Sequence, residues 1–378
     1  MSVTALVGAA IVQPDAVIAG HALLIDKGRI LRLVPDDALP GSCRVVRLEG
    51  GWLLPGFIDT QVNGGGDVLL NDRPDVDGIA AIARAHRRFG TTALLPTLIS
   101  DDAAVIARAM AATEAALAAG VPGVWGLHLE GPHLNPAKKG IHDAARFTPV
   151  DLAVLLQPTR GRRLVTLAPE LAPPGAIRAL AAAGVIVAAG HSMADYGATR
   201  AALAEGLAGF THLFNAMTPL GSREPGMVGA ALDDRASHFG LIVDGVHVHP
   251  ATLRIALAAR GLDGAMLVTD AMPPVGGVAD SFTLMGQAIR VVDGTCRGAD
   301  GTLAGSALDM ATAVRNAMDL LGVSIVAASK LASGNPARFL RIDGDTGAIR
   351  PGLRADLVHL DADRQVTRSW IGGEVEAA

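Results

Sequence analysis

The chain has 378 residues, half of them apolar, with 45 glycines and only 3% aromatics. That is room for one large domain and a small one, with small residues suited to helices packed tightly on parallel strands. A net charge of −5 and the lack of a dense basic run exclude non-specific nucleic-acid binding, and no apolar run reaches the length of about 18 residues that spans a bilayer.

Residues 1–52 read as a small sheet. Leu6 to Val12 is expected as one strand, and His21–Ile25 and Arg29–Val34 flank the hairpin signal Asp26-Lys27-Gly28. From about residue 53 to 345 the pattern becomes strand, loop, helix, repeated. Candidate strands end near Asp59, Pro96, Glu130, Pro169, His191, Phe214, Asp244 and Asp270. Helical periods cover Asp102–Ala119, Ala176–Ala183, Tyr196–Glu205 and Pro250–Ala259. Eight strands alternating with helices favour a closed (β/α)8 barrel over a doubly wound sheet, and no glycine-rich phosphate fingerprint follows the first strand. An excursion, Gly276–Gly305, with turns at Asp293-Gly294 and Asp300-Gly301, is long enough to lie over the barrel mouth. Helices are expected at Ser306–Leu321 and Ser324–Leu331. The tail, 346–378, returns to strands at Gly347–Ile349, Ala355–Leu360 and Val366–Ile371. The expected division is a small β-sandwich from both termini (1–52 with 346–378) beside a catalytic barrel (53–345).

The run Val124–Leu129 ends in the carboxylate of Glu130, followed by Gly131-Pro132. A carboxylate on a strand tip is costly to desolvate unless something positive meets it. Alone, Glu130 fits a salt-bridged loop residue as well as a ligand. Two further strand-like runs end in His191 and His212, and a fourth in Asp270. In a parallel barrel all strand C-termini face one mouth, so one Glu and two His converge there and can hold a divalent metal with a position left open. Cys43 and Cys296 form no metal or redox spacing, and the N-terminus has no secretion-signal pattern; a cytoplasmic protein is expected.

At these residues the sequence resembles the amidohydrolase superfamily, and within it the deacetylases of phosphorylated N-acetyl amino sugars. The resemblance covers essentially the whole chain. It is carried by Pro55–Asp59, His128-Leu129-Glu130-Gly131-Pro132, Lys139–His142, Ala189–Ser192, Thr211–Met217, Arg223–Gly226, Asp244–His247, Val268–Ala271 and Leu303–Ser306. It implies that Glu130, His191 and His212 bind one divalent ion per chain, Zn²⁺ or Fe²⁺. It implies Asp270 as general base and then acid, and His142 as the group on the substrate carbonyl. Ile141, Asn215, Ala216, Arg223, His247, Leu303, Ala304 and Gly305 are implied as substrate contacts, with Arg223 and His247 on a phosphate. The activity implied is hydrolysis of the acetamide of N-acetyl-D-glucosamine 6-phosphate to D-glucosamine 6-phosphate and acetate, by a homodimer in which Arg223 acts across the interface.

Many superfamily members carry His-x-His after the first strand, where this chain has Gln61-Val62-Asn63. Neutral amides are poor ligands beside imidazole, so Gln61 and Asn63 read as a vestigial second-metal position or as loop hydrogen bonding. Without the resemblance, His142 also fits a solvated loop residue and Arg223 a surface ion pair. His249 is assigned to a loop, and His21, His86, His238 and His359 lie outside the mouth. Two other functions compete. A deaminase or cyclic-amide hydrolase would share the metal but need neither Arg223 nor His247, and a silent scaffold would need none of the four metal and base residues.

Overall fold

The apolar runs pair in chain order. In the computed structural model, which describes residues 3–292 and 294–377, eight parallel strands form one sheet, each beside its sequence neighbour. They are Phe57–Val62, Thr91–Ile99, Gly126–Glu130, Arg162–Leu167, Ile186–Ala189, Gly209–Phe210, His238–Leu241 and Ala265–Leu267. The eighth returns to the first: Asp270 donates its backbone N–H to Gln61 O at 3.0 Å, and Asn63 to Ala271 O at 2.9 Å. The result is a (β/α)8 barrel. Strands covered by helices outside and packed within must be apolar on both faces, and all nine residues of Thr91–Ile99 are buried.

The first two strands run past the expected Asp59 and Pro96 to Val62 and Ile99, the third ends at Glu130, and the other five stop short of the expected tips, at Leu167, Ala189, Phe210, Leu241 and Leu267. His191, His212 and Asp270 stand beyond the strands with φ of 49°, 34° and 52°, in the left-handed region that non-glycine residues seldom occupy. Each tip therefore turns sharply and throws its side chain back over the barrel axis.

Helices occupy Ala103–Ala118, Ala176–Ala182, Tyr196–Glu205 and Pro250–Arg260, close to the expected bounds. Two more, Val76–Arg87 and Gly226–Asp233, lie outside the helical periods named from the sequence. The first is capped by Asp75, whose side chain accepts from Gly78 N at 2.7 Å. The helix expected from Ser306 begins only at Met310, behind an Asp309 cap. Leu303–Ser306 is instead a strand, because Ser306 N and O are taken by Asp270 O and Met272 N, both at 2.9 Å. The helix expected over Ser324–Leu331 is α-helical at Ile325–Ser329 and passes into a π turn at Lys330–Gly334.

Both chain ends build two sheets flanking the barrel. One holds Arg29–Pro35, His21–Asp26, Thr4–Val7 and Arg44–Arg47; the other holds Glu374–Ala377, Val366–Ile371, Leu357–Leu360, Trp52–Pro55, Ala10–Val12 and Val17–Ile18. Leu6, Leu23, Ile11, Leu53, Leu357 and Trp370 share one core between them. The single strand expected at Leu6–Val12 is two strands in different sheets. Gly8 breaks it with φ +92°, where a Cβ would lie 2.4 Å from Leu48 O. Gly347–Ile349 is not a strand; Ile349 O accepts from the Gln13 side chain at 2.8 Å instead.

The excursion is a four-stranded antiparallel sheet, Ser281–Leu284, Gln287–Val292, Thr295–Arg297 and Leu303–Ser306. Asp293 of the expected Asp293-Gly294 turn lies outside the described residues. Among the described residues, no helix is long and apolar enough to cross a membrane.

Candidate active site

Glu130, His191 and His212 meet at the barrel mouth, on the third, fifth and sixth strand ends. His212 Nε2 lies 3.0 Å and His191 Nε2 3.3 Å from Glu130 Oε1, and the two Nε2 atoms are 3.0 Å apart. All three residues are buried. His191 Nδ1 is 2.8 Å from Lys138 O, so it carries the proton and turns a bare Nε2 lone pair on the other two groups. Lone-pair nitrogens and a carboxylate oxygen crowded this closely repel one another without a cation between them. Their ligand atoms all lie within 4.8 Å of one another, and the donor set of two imidazoles and one carboxylate suits a divalent metal.

Asp270 stands beside them. Asn63 Nδ2 donates to its Oδ1 at 2.7 Å and Gln61 Nε2 at 3.0 Å, while Gln61 Nε2 also reaches Glu130 Oε1 at 3.0 Å. Gln61 thus bridges Asp270 and Glu130, and Asn63 holds Asp270 alone. Both amides are hydrogen-bonded, and their partners are these buried carboxylates rather than loop backbone. Burial, with the Glu130 charge second, pushes the Asp270 pKa up to about 6. His142 is buried with its ring centroid 4.6 Å from that of His191. Burial is the main cause that lowers its pKa to about 3, so the ring is neutral.

Glu130, His191, His212, Asp270, Asn63 and His142 line one cavity of about 240 Å³ with Ile141, Asn215, Ala216, His247, Leu303 and Gly305. His247 Nδ1 is 2.5 Å from Asp244 Oδ2, which leaves Nε2 for a ligand. Ala304 is not on the wall. Strand alternation turns it away, into a cluster with Met272, Ile289 and Cys296. Arg223 is exposed, outside the cavity, and makes no ion pair or hydrogen bond among the described residues. His249 caps the helix Pro250–Arg260 by accepting from Ala251 N at 3.2 Å, the loop role expected. His86 and His359 bond backbone carbonyls, Gly64 O and Gly50 O, away from the mouth.

Sequence reasoning passed over Asp59 and Thr269. Asp59 lies inside the barrel and joins the first strand to the eighth: Oδ2 accepts from Thr269 Oγ1 at 2.5 Å and Oδ1 from Gln61 N at 3.1 Å. Burial pushes its pKa up to about 7. The signal available was a carboxylate directly after the apolar Phe57 and Ile58.

A model of the amidohydrolase family matches residues 52–375. The chain belongs to the amidohydrolase family. Among its relatives, an N-acetylgalactosamine-6-phosphate deacetylase of Shewanella sp. (strain ANA-3) is 44% identical over 332 residues, 87% of this chain and 84% of that protein. The N-acetylglucosamine-6-phosphate deacetylase of Bos taurus is 39% identical over 346 residues, 86% of this chain and 84% of that one. In structure, the N-acetylglucosamine-6-phosphate deacetylase of Pasteurella multocida superposes with a TM-score of 0.96 at 32% identity, covering all of both chains. The family's barrel and its metal-capable mouth are thus both present here.

Proposed function

We propose that the protein hydrolyses the acetamide of N-acetyl-D-glucosamine 6-phosphate, releasing acetate and D-glucosamine 6-phosphate. The observation that carries this is a single cavity holding the Glu130–His191–His212 cluster, the amide-held carboxylate of Asp270 and the imidazoles of His142 and His247. Glu130, His191 and His212 would hold one divalent ion per chain, Zn²⁺ or Fe²⁺. Such an ion supplies Lewis-acid chemistry, lowering the pKa of a water and polarising a carbonyl.

The chain's own residues do the rest. Asp270 has Oδ1 occupied by two amides, so Oδ2 takes the proton of the attacking water and returns it to the departing nitrogen, which cannot leave as an anion. Neutral His142 donates to the acetamide oxygen as negative charge develops there. His247 receives the phosphate, aligned by Asp244. Asn215, Ala216, Leu303 and Gly305 shape the sugar pocket. Arg223 is exposed and not among the residues lining its own cavity, which supports a homodimer in which it serves the partner's phosphate site. A small sheet unit (1–52 with 346–378), a catalytic unit (53–345) and a cytoplasmic location belong to the same reading.

The galactosamine epimer is the second reading, favoured by the 44% identical relative. Acetate release measured with both 6-phosphates and with unphosphorylated N-acetylglucosamine is the test. Turnover of the glucosamine 6-phosphate, with little from the free sugar, is expected. Turnover of the galactosamine epimer alone selects the second reading, and release from neither phosphosugar rejects both.

A further inference from the structure

The His142 ring has one nitrogen turned to protein. Ser100, one residue past the second barrel strand, brings its Oγ to 2.9 Å and its backbone N–H to 3.4 Å from His142 Nδ1. A backbone N–H is only ever a donor, so Nδ1 faces it as an acceptor, and the serine hydroxyl has the same side of the ring to donate to. Ser100 and His142 are both buried, at 1% and 3% exposure, so water does not compete for this contact. Two neighbours hold the serine in place. Asn71 grips the residue before it from both sides, donating to Ile99 O at 3.0 Å and accepting from Ile99 N at 3.3 Å. Gly131, next to Glu130, leaves room for the hydroxyl: a Cβ there would lie 2.2 Å from Ser100 Oγ.

We infer that Ser100 is a positioning residue that locks His142 as the Nε2–H tautomer, so that the nitrogen facing the cavity is always a hydrogen-bond donor. This rests on the deacetylase reading for its consequence, since a donor is what the developing oxyanion requires and the other tautomer would set a lone pair against it. The geometry of the tautomer stands independently of the reaction.

Histidine-selective ¹⁵N NMR on the metal-loaded protein, with His142 assigned by its loss in His142→Asn, reads the tautomer directly. An unprotonated Nδ1 is expected in the unmodified protein; an Nδ1–H signal overturns the proposal. In acetate release, losing one neutral hydrogen bond to the ring in Ser100→Ala is expected to lower kcat about three- to tenfold with KM changed less than about twofold, since the contact matters in the transition state. Ser100→Thr, which keeps the hydroxyl, should restore kcat. In a His142→Asn background, Ser100→Ala should have no further effect. An unchanged kcat in Ser100→Ala, or an equal loss in the His142→Asn background, contradicts it. If the unmodified protein releases no acetate from either phosphosugar, the functional reading falls, while the spectrum still decides the tautomer.

Discussion

Asp270 Oδ1 accepts from Asn63 and Gln61 while Oδ2 has no hydrogen bond among the described residues, and the proposed chemistry turns on that asymmetry. Asp270→Asn keeps a side chain that fits between Gln61 and Asn63 but cannot carry a proton. The expected loss in kcat is about 10²–10⁴-fold with metal content unchanged, read by turnover and metal analysis on the same sample. Asp59 offers a separate test. Its pKa is raised by burial from the ordinary carboxylate value to about 7, so the folded state holds a proton that the unfolded state has lost between those limits. Stability from this group therefore falls as pH rises from about 4 to 7 and is level above that. Asp59→Asn mimics the protonated form, and its Tm relative to the unmodified protein should climb between pH 5 and 7.5; a constant difference would remove Asp59 from the pH dependence. The ligand residues and Asp270 were legible in the sequence because each ends an apolar run. The partners of Gln61 and Asn63 were not, because only barrel closure brings the first strand's end to Asp270 on the eighth.

At the scale of elements, apolar runs such as Thr91–Ile99 announced themselves, and Ala-rich periods gave the helices to within a residue or two. Errors fell where a local pattern was overruled by a tertiary contact. The helix expected from Ser306 starts only at Met310, because Ser306 instead ends a strand that adds to the backbone of Asp270 and Met272. Gly226–Asp233 begins with a glycine and contains another, which hid a helix buried on most of its faces. The strand at Leu303–Ser306 ties this four-stranded sheet to the backbone of Asp270, and Gly305 is its tight point. Gly305 has φ +65°, and a Cβ there would sit 2.7 Å from Met272 Cγ and 2.9 Å from Asp270 O. Gly305→Ala is thus expected to displace Asp270 and lower kcat by about tenfold or more, a 1 Å misplacement being capable of a hundredfold effect. Unchanged kinetics would show that this strand does not govern Asp270.

Across the whole molecule, the sandwich and barrel account for the fold, and of the two proposed phosphate contacts only His247 lines the cavity. Arg223 exposed outside its own cavity makes sense if two chains complete each other's sites. Arg223→Ala should weaken use of the phosphorylated sugar at least about tenfold while sparing the free sugar, as expected for loss of a charge-assisted contact. Mixing Arg223→Ala chains with Asp270→Asn chains should then recover about a quarter of the sites, because each mixed dimer of a two-fold assembly regains one complete site. No recovery on mixing would return Arg223 to its own chain. The most direct test of the central claim is metal content and acetate release measured together on the protein and on His191→Asn. One divalent ion per chain with turnover of the phosphosugar, both lost in the variant, is the predicted result. A His191→Asn protein that keeps its ion and its turnover would contradict it.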